Sequence, residues 1–156
     1  MNGIESIVPG FTEALARAPV TLATHGKLLR AREQSPLSER TRARIALAIA
    51  QQLRCEYCIW AQTCMAEAAG LNGEDIFLAR AGTALDPREA AIVRMACKVV
   101  SGGVFKNRIE PEAVRQFGDA EAAAVVTEVA FAIVNSYVMQ SIAPETRVTA
   151  GARRAD

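Results

Sequence analysis

Four cysteines carry most of the chemistry that this 156-residue chain offers, and two of them are spaced for joint action. Cys55-Glu56-Tyr57-Cys58 lies in Leu53–Cys64, between the end of one apolar helical stretch and the start of the next. A helix turns about 100° per residue, so Cys55, Cys58 and Gln62 fall on one face while Cys64 points to the opposite side. Thiols at i and i+3 can close a disulfide across one turn. At a helix start, unpaired N–H groups and the positive end of the helix dipole favour a thiolate. One thiolate attacks, the second thiol resolves the product, and a nearby proton donor or acceptor completes the device.

Two other uses of the pair compete with this one. A CxxC can be half of a zinc site, but structural zinc takes four ligands. The chain offers only Cys64, Cys97 and the sole histidine, His25, and no second paired motif, so no metal is expected. The two cysteines could also be idle small hydrophobes. That reading fits Cys97, within the apolar run Ala96–Val100, and Cys64. His25, in Thr24-His25-Gly26, reads as a surface or capping group, and Tyr57 and Trp60 read as core aromatics.

The elements that must position the pair are all helical. The chain contains 30 alanines, and alanine is the best helix former. Residues 4–18 and 20–32 read as helices separated at Pro19. Ser35-Pro36 opens a third, with Ile45, Ile49 and Leu53 at helical spacing. Asn72 starts a helix over 73–81. Asp86-Pro87-Arg88-Glu89 starts another as a capping box, running to Gly102-Gly103. Pro111 begins a short helix to Phe117. The last helix spans about 119–142 and stops before Pro144, leaving 144–156 as a loose tail. It is apolar on two stripes: Val126, Val129, Ala130, Ile133 and Tyr137, and Phe131, Val134, Val138 and Ile142. Such a helix is central to a bundle or part of a subunit interface.

Composition sets the outer bounds. Hydrophobic residues make up 51% of the chain, which excludes a disordered chain and leaves one all-α domain over 1–156 with its core in 36–143. Net charge is +1, no basic block points to nucleic acid, and the arginines of Glu39–Arg44 read as a solvated face. Residues 1–20 lack the pattern of a signal peptide, and no stretch approaches a charge-free membrane span. A cytoplasmic protein with reduced cysteines is expected.

The motif Cys55-Glu56-Tyr57-Cys58, with Ala61, Thr63 and Gly70-Leu71 after it, resembles the core helix of the alkylhydroperoxidase-D-like / carboxymuconolactone decarboxylase family. Arg44–Gln51 upstream, Leu85–Ala91 downstream and the Phe131…Asn135-Ser136-Tyr137 region are similar too, so the resemblance covers 36–143. It implies an all-helical bundle that forms trimers or hexamers, and peroxidases that reduce hydroperoxides with the CxxC pair. A histidine four residues after the second cysteine and a glutamate twelve before the first would move the protons. Here those positions are Gln62 and Ala43. Glutamine hydrogen-bonds but does not titrate, and alanine does neither. Glu39, one turn before Ala43, is the carboxylate that could substitute, although its place also suits a plain N-terminal charge.

Two functions follow. In the first, the chain is a thiol-dependent antioxidant or disulfide oxidoreductase. Cys58 attacks, Cys55 resolves and Gln62 orients. Its substrate is a small hydroperoxide, an external dithiol resets the pair, and there is no bound organic cofactor. In the second, it is a catalytically degenerate or non-redox relative that binds or converts a small organic acid. The decarboxylase branch of the family works without a CxxC pair.

Overall fold

The computed structural model describes residues 7–8, 10–101 and 117–151, with side chains through Ser141. Among these the chain forms seven helices: α1 Phe11–Ala16, α2 Pro19–Glu33, α3 Glu39–Gln52, α4 Glu56–Ala68, α5 Gly73–Arg80, α6 Pro87–Val100 and α7 Asp119–Gly151. No strand occurs among the described residues, so the all-α reading holds. The expected 111–117 helix lies almost entirely outside the described residues.

Helix α3 is the hub, packing against α4, α5, α6 and α7. Every residue from Ala43 to Ala50 is buried. The centre of the bundle is therefore α3 and not the last helix alone. The alternation Ala46-Leu47-Ala48-Ile49-Ala50 explains this. Alanines let neighbouring backbones approach, and each larger side chain fills a different interface. Ile45 and Ile49 meet Ile92 and Met95 of α6 and Val125 and Val129 of α7. Ala43 and Leu47 meet Ala66, Leu71 and Ile76. Ala50 meets Cys55, Cys58, Phe11 and Met139.

Caps fix where the helices begin. α3 starts at Ser38, whose Oγ accepts the Thr41 N–H at 3.1 Å, not at Ser35-Pro36. Ser35 instead accepts the Leu37 N–H and holds the preceding turn. Asn72 and Asp75 form a full capping box for α5. Asp86 caps α6 with Pro87 in the first turn, as the sequence indicates. Glu89 does not complete that box. Its carboxylate accepts from Thr41 Oγ1 at 2.9 Å and Arg44 at 3.3 Å on α3, and these tertiary partners prevail over the local one.

The arginines of α3 do not form one wet face: Arg40 is exposed as expected, but Arg42 is half-buried and Arg44 buried. Arg44 is buried and donates to Asp75 at 2.8 Å as well as to Glu89. Arg40 reaches Asp75 at 3.1 Å, and Arg42 donates to the carbonyls of Arg32 and Leu37. α5 and α6 both present a carboxylate to the first turns of α3, which pulls its cations inward.

Helix α7 continues through Pro144 to Gly151, past the boundary read from the sequence. Proline already has a helical φ and removes one N–H, so a long helix can carry it. Its buried face is Ala122, Val125, Glu128, Val129, Phe131, Ala132, Asn135, Ser136 and Met139. Of the first apolar stripe, Val126, Ala130 and Tyr137 face outward. Asp119–Ser141 is long and apolar enough to cross a membrane, but half of its most apolar window is buried in the bundle, as in a core helix.

The Arg44 hydrogen bond holds the Asp75 carboxyl below the usual aspartate range, against the opposing effect of burial. A depressed carboxyl contributes stability above its unfolded pKa and loses it as pH falls through the folded value. Urea unfolding should therefore show stability falling below about pH 4. Asp75→Asn should cost about 2 kcal/mol at neutral pH and flatten that acid limb. An acid limb unchanged by the substitution would assign it to other carboxylates.

Candidate functional site

Cys55 is placed by the turn that ends α3. Leu53 closes the helix and Arg54 takes a left-handed conformation, φ +52. The Arg54 N–H bonds the Gln51 carbonyl at 3.1 Å and the Cys55 N–H bonds the Ala50 carbonyl at 3.4 Å. This paired closure is a Schellman motif. The same closure ends α4 at Gly70 and α5 at Gly82, both with positive φ. Glycine there is free of the Cβ clash that Arg54 must tolerate.

The residue after that turn is already the cap of the next helix. Cys55 is the N-cap of α4, and its Sγ accepts the Cys58 N–H at 3.2 Å. Cys55 and Cys58 are joined as a disulfide across the first turn. Cys58 has no exposed surface, whereas Cys55 keeps 9% of its own. Cys58 Sγ lies 3.7 Å from the Ser136 carbonyl oxygen of α7. Val8, Phe11 and Leu15 of the N-terminal segment cover the pair from the other side, with Tyr57, Ala61 and Met139 completing the wall.

Gln62 is buried on α4, one turn beyond Cys58. Ala43 does not join the cysteine cluster; it packs with Leu47, Ala66 and the residues of α5. Glu39 is exposed at the start of α3, whose 14 residues place it about 20 Å along the axis from the end that carries Cys55. Cys64 and Cys97 are free and half-buried, and burial pushes both thiols up, for Cys64 with the nearby Glu67 charge acting in the same direction. Among the described residues no group of three or more His, Cys, Asp or Glu side chains could hold a metal ion.

His25 is not a surface group. It is buried between the rings of Phe11 and Phe131, and its Nε2 is 2.8 Å from Asn135 Oδ1. Asn135 directly precedes the Ser136 whose carbonyl faces Cys58. Two turns further along α2, the single Nε–H of Arg32 is shared between both carboxylate oxygens of the buried Glu128, at 2.8 and 2.9 Å, and the guanidinium lies over the Phe131 ring. Burial pushes the Glu128 carboxyl up, and Arg32 and Arg42 draw it partly back. Polar contacts thus dock α2, whose only buried residue is His25, onto the helix behind the disulfide. No local signal marks these pairings; they join residues about a hundred positions apart. Trp60 is 41% exposed and stacks on the buried Tyr57, so it is a surface aromatic and not core.

The chain matches the profile of the carboxymuconolactone decarboxylase family over residues 18–100. It belongs to that family. The matched span begins upstream of the resemblance read from residue 36, takes in α2, and ends with α6. It holds both cysteines, Gln62 and His25, while Asn135 and Ser136 lie beyond it. No curated protein matches the chain.

The left-handed Arg54 is open to a direct test. Arg54→Gly should raise stability by up to about 1 kcal/mol by relieving the Cβ clash, less the entropy that glycine gains in the unfolded chain. Urea melts would measure it. A drop of more than about 1 kcal/mol would mean that the arginine side chain contributes contacts that outweigh the strain.

Proposed function

We propose that this protein is a dithiol–disulfide oxidoreductase that reduces a small hydroperoxide at the expense of an external dithiol. The carrying observation is the Cys55–Cys58 bond across the first turn of α4, at an N-terminus that favours a thiolate. The overall change is hydroperoxide plus dithiol giving alcohol, water and disulfide. Each half needs only the pair itself, with no bound cofactor. A cytoplasmic setting, with reducing dithiols at hand, suits this cycle.

Gln62 supports a slow version of it. A positioned base contributes about 10²–10⁴ in rate, and an amide cannot supply that. The same observation favours the second reading, a degenerate relative that binds or converts a small organic acid. A free-thiol count separates the two. The reduced chain has four cysteines, and mild hydroperoxide should remove the two of Cys55–Cys58 while Cys64 and Cys97 stay free. Mass spectrometry showing no thiol lost, or Cys97 bridged to either partner, would sink the redox reading. Gln62→His should raise the rate with hydroperoxide by roughly tenfold or more, short of the full 10²–10⁴ of a general base because Ala43 leaves the new histidine without a carboxylate partner. An unchanged rate would mean that position 62 is not what limits the reaction.

We also propose a homo-oligomer, a trimer or hexamer by family resemblance. The outward Val126, Ala130 and Tyr137 of α7, with Phe77 and Leu85, support it, because exposed apolar side chains of this size favour burial between copies. Sedimentation at micromolar concentration should give a species several times the 16.7 kDa chain mass, and a lone monomer would contradict it.

A further inference from the structure

The two sulfurs of the pair occupy opposite electrostatic settings. Cys55 Sγ accepts a backbone N–H, from Cys58 at 3.2 Å, at the positive end of α4. A hydrogen bond donated to sulfur stabilises the thiolate over the thiol. The cation of Arg54 is carried on the preceding residue, which is exposed. Cys58 Sγ instead faces an acceptor, the Ser136 carbonyl at 3.7 Å, and has no exposed surface. A carbonyl oxygen stabilises the thiol that donates to it and repels a thiolate, and burial acts in the same direction. Access follows the same order, since Cys55 alone of the two reaches the surface.

We infer that Cys55 is the nucleophile of the pair and Cys58 the resolving thiol, the reverse of the order expected from the sequence. The assignment rests on the redox reading proposed above. In the oxidising half, the Cys55 thiolate attacks the distal oxygen of a hydroperoxide. An S–O bond forms, the O–O bond breaks, and the alkoxide leaves as alcohol with a proton from water. Cys55 is then a sulfenic acid, oxidised by two electrons. Cys58 attacks Cys55 Sγ; the S–S bond forms, and hydroxide leaves as water with the Cys58 proton. In the reducing half, a thiolate of an external dithiol attacks Sγ of Cys55, the residue of the pair that keeps some exposed surface. Cys58 departs, takes up a proton and returns to the Ser136 carbonyl. The second donor thiol then attacks its own partner sulfur in the mixed disulfide. Its proton goes to solvent, Cys55 is released as thiolate, and the donor leaves as a disulfide.

The test compares Cys55→Ser with Cys58→Ser in a chain whose other two cysteines are serine. Each is given a small aromatic disulfide, and separately hydroperoxide with a sulfenic-acid trap. The variant that retains Cys55 should react at least about tenfold faster than the one that retains Cys58, and should carry the trapped sulfenic acid. Serine is a good N-cap, so Cys55→Ser keeps the cap of α4. Residue-resolved alkylation of the unsubstituted reduced protein gives the same comparison without any substitution, with Cys55 labelled first. Faster reaction at Cys58, or equal rates, would overturn the assignment and leave the redox function standing. If neither cysteine reacts with hydroperoxide faster than an unstructured peptide thiol, the redox function falls and the assignment with it.

Discussion

The burial of α3 on every side is the constraint on which the rest of the molecule depends. A helix with no wet flank between Ala43 and Ala50 needs small side chains for close approach and larger ones aimed at separate neighbours. Ile45 and Ile49 hold α6 and α7, Leu47 holds α5, and Ala50 leaves room for the first turn of α4. Arg44, near the start of this stretch, cannot then face water freely. Asp75 and Glu89 come from two different helices to meet the two terminal nitrogens of Arg44, while its buried Nε has no hydrogen-bond partner among the described residues.

The far end of the same helix sets the chemistry. Because α3 is fixed, its closing turn fixes where the chain re-enters the bundle, and one residue later Cys55 is already capping α4. The turn is made with arginine where the chain uses glycine at the ends of α4 and α5. Strain retained beside a reactive group is a common feature of functional sites. The disulfide is then enclosed from two directions, by Phe11 and its neighbours and by the Ser136 turn of α7. α2 is fastened to that turn through His25 and, two turns earlier on α7, to Glu128 through Arg32, with hardly any apolar burial of its own. A helix held by two polar pairs depends on the geometry of those pairs, whereas α3 depends on the packing of the whole bundle.

The order of elements, the all-helical class and the location of the CxxC pair at a helix start were legible in the sequence, because each is written in residues close to one another. Alanine content, Asp86-Pro87, Asn72-Gly73 and the i, i+3 cysteines are local signals with local causes. Local reading failed where a distant partner offered more. Glu89 left its capping box for Arg44 and Thr41, Ser38 displaced Pro36 as the start of α3, and α7 carried Pro144 within it. Arg44 and the solitary His25 looked solvent-facing for the same reason, since their partners come from α5, α6 and α7. The sequence by itself determined that two thiols share one helical turn without a titrating residue at positions 62 and 43. Only the tertiary structure decided that one sulfur meets a donor and the other an acceptor. That difference comes from a carbonyl of α7, 78 residues away in the chain, and no periodicity or spacing around the motif can encode it.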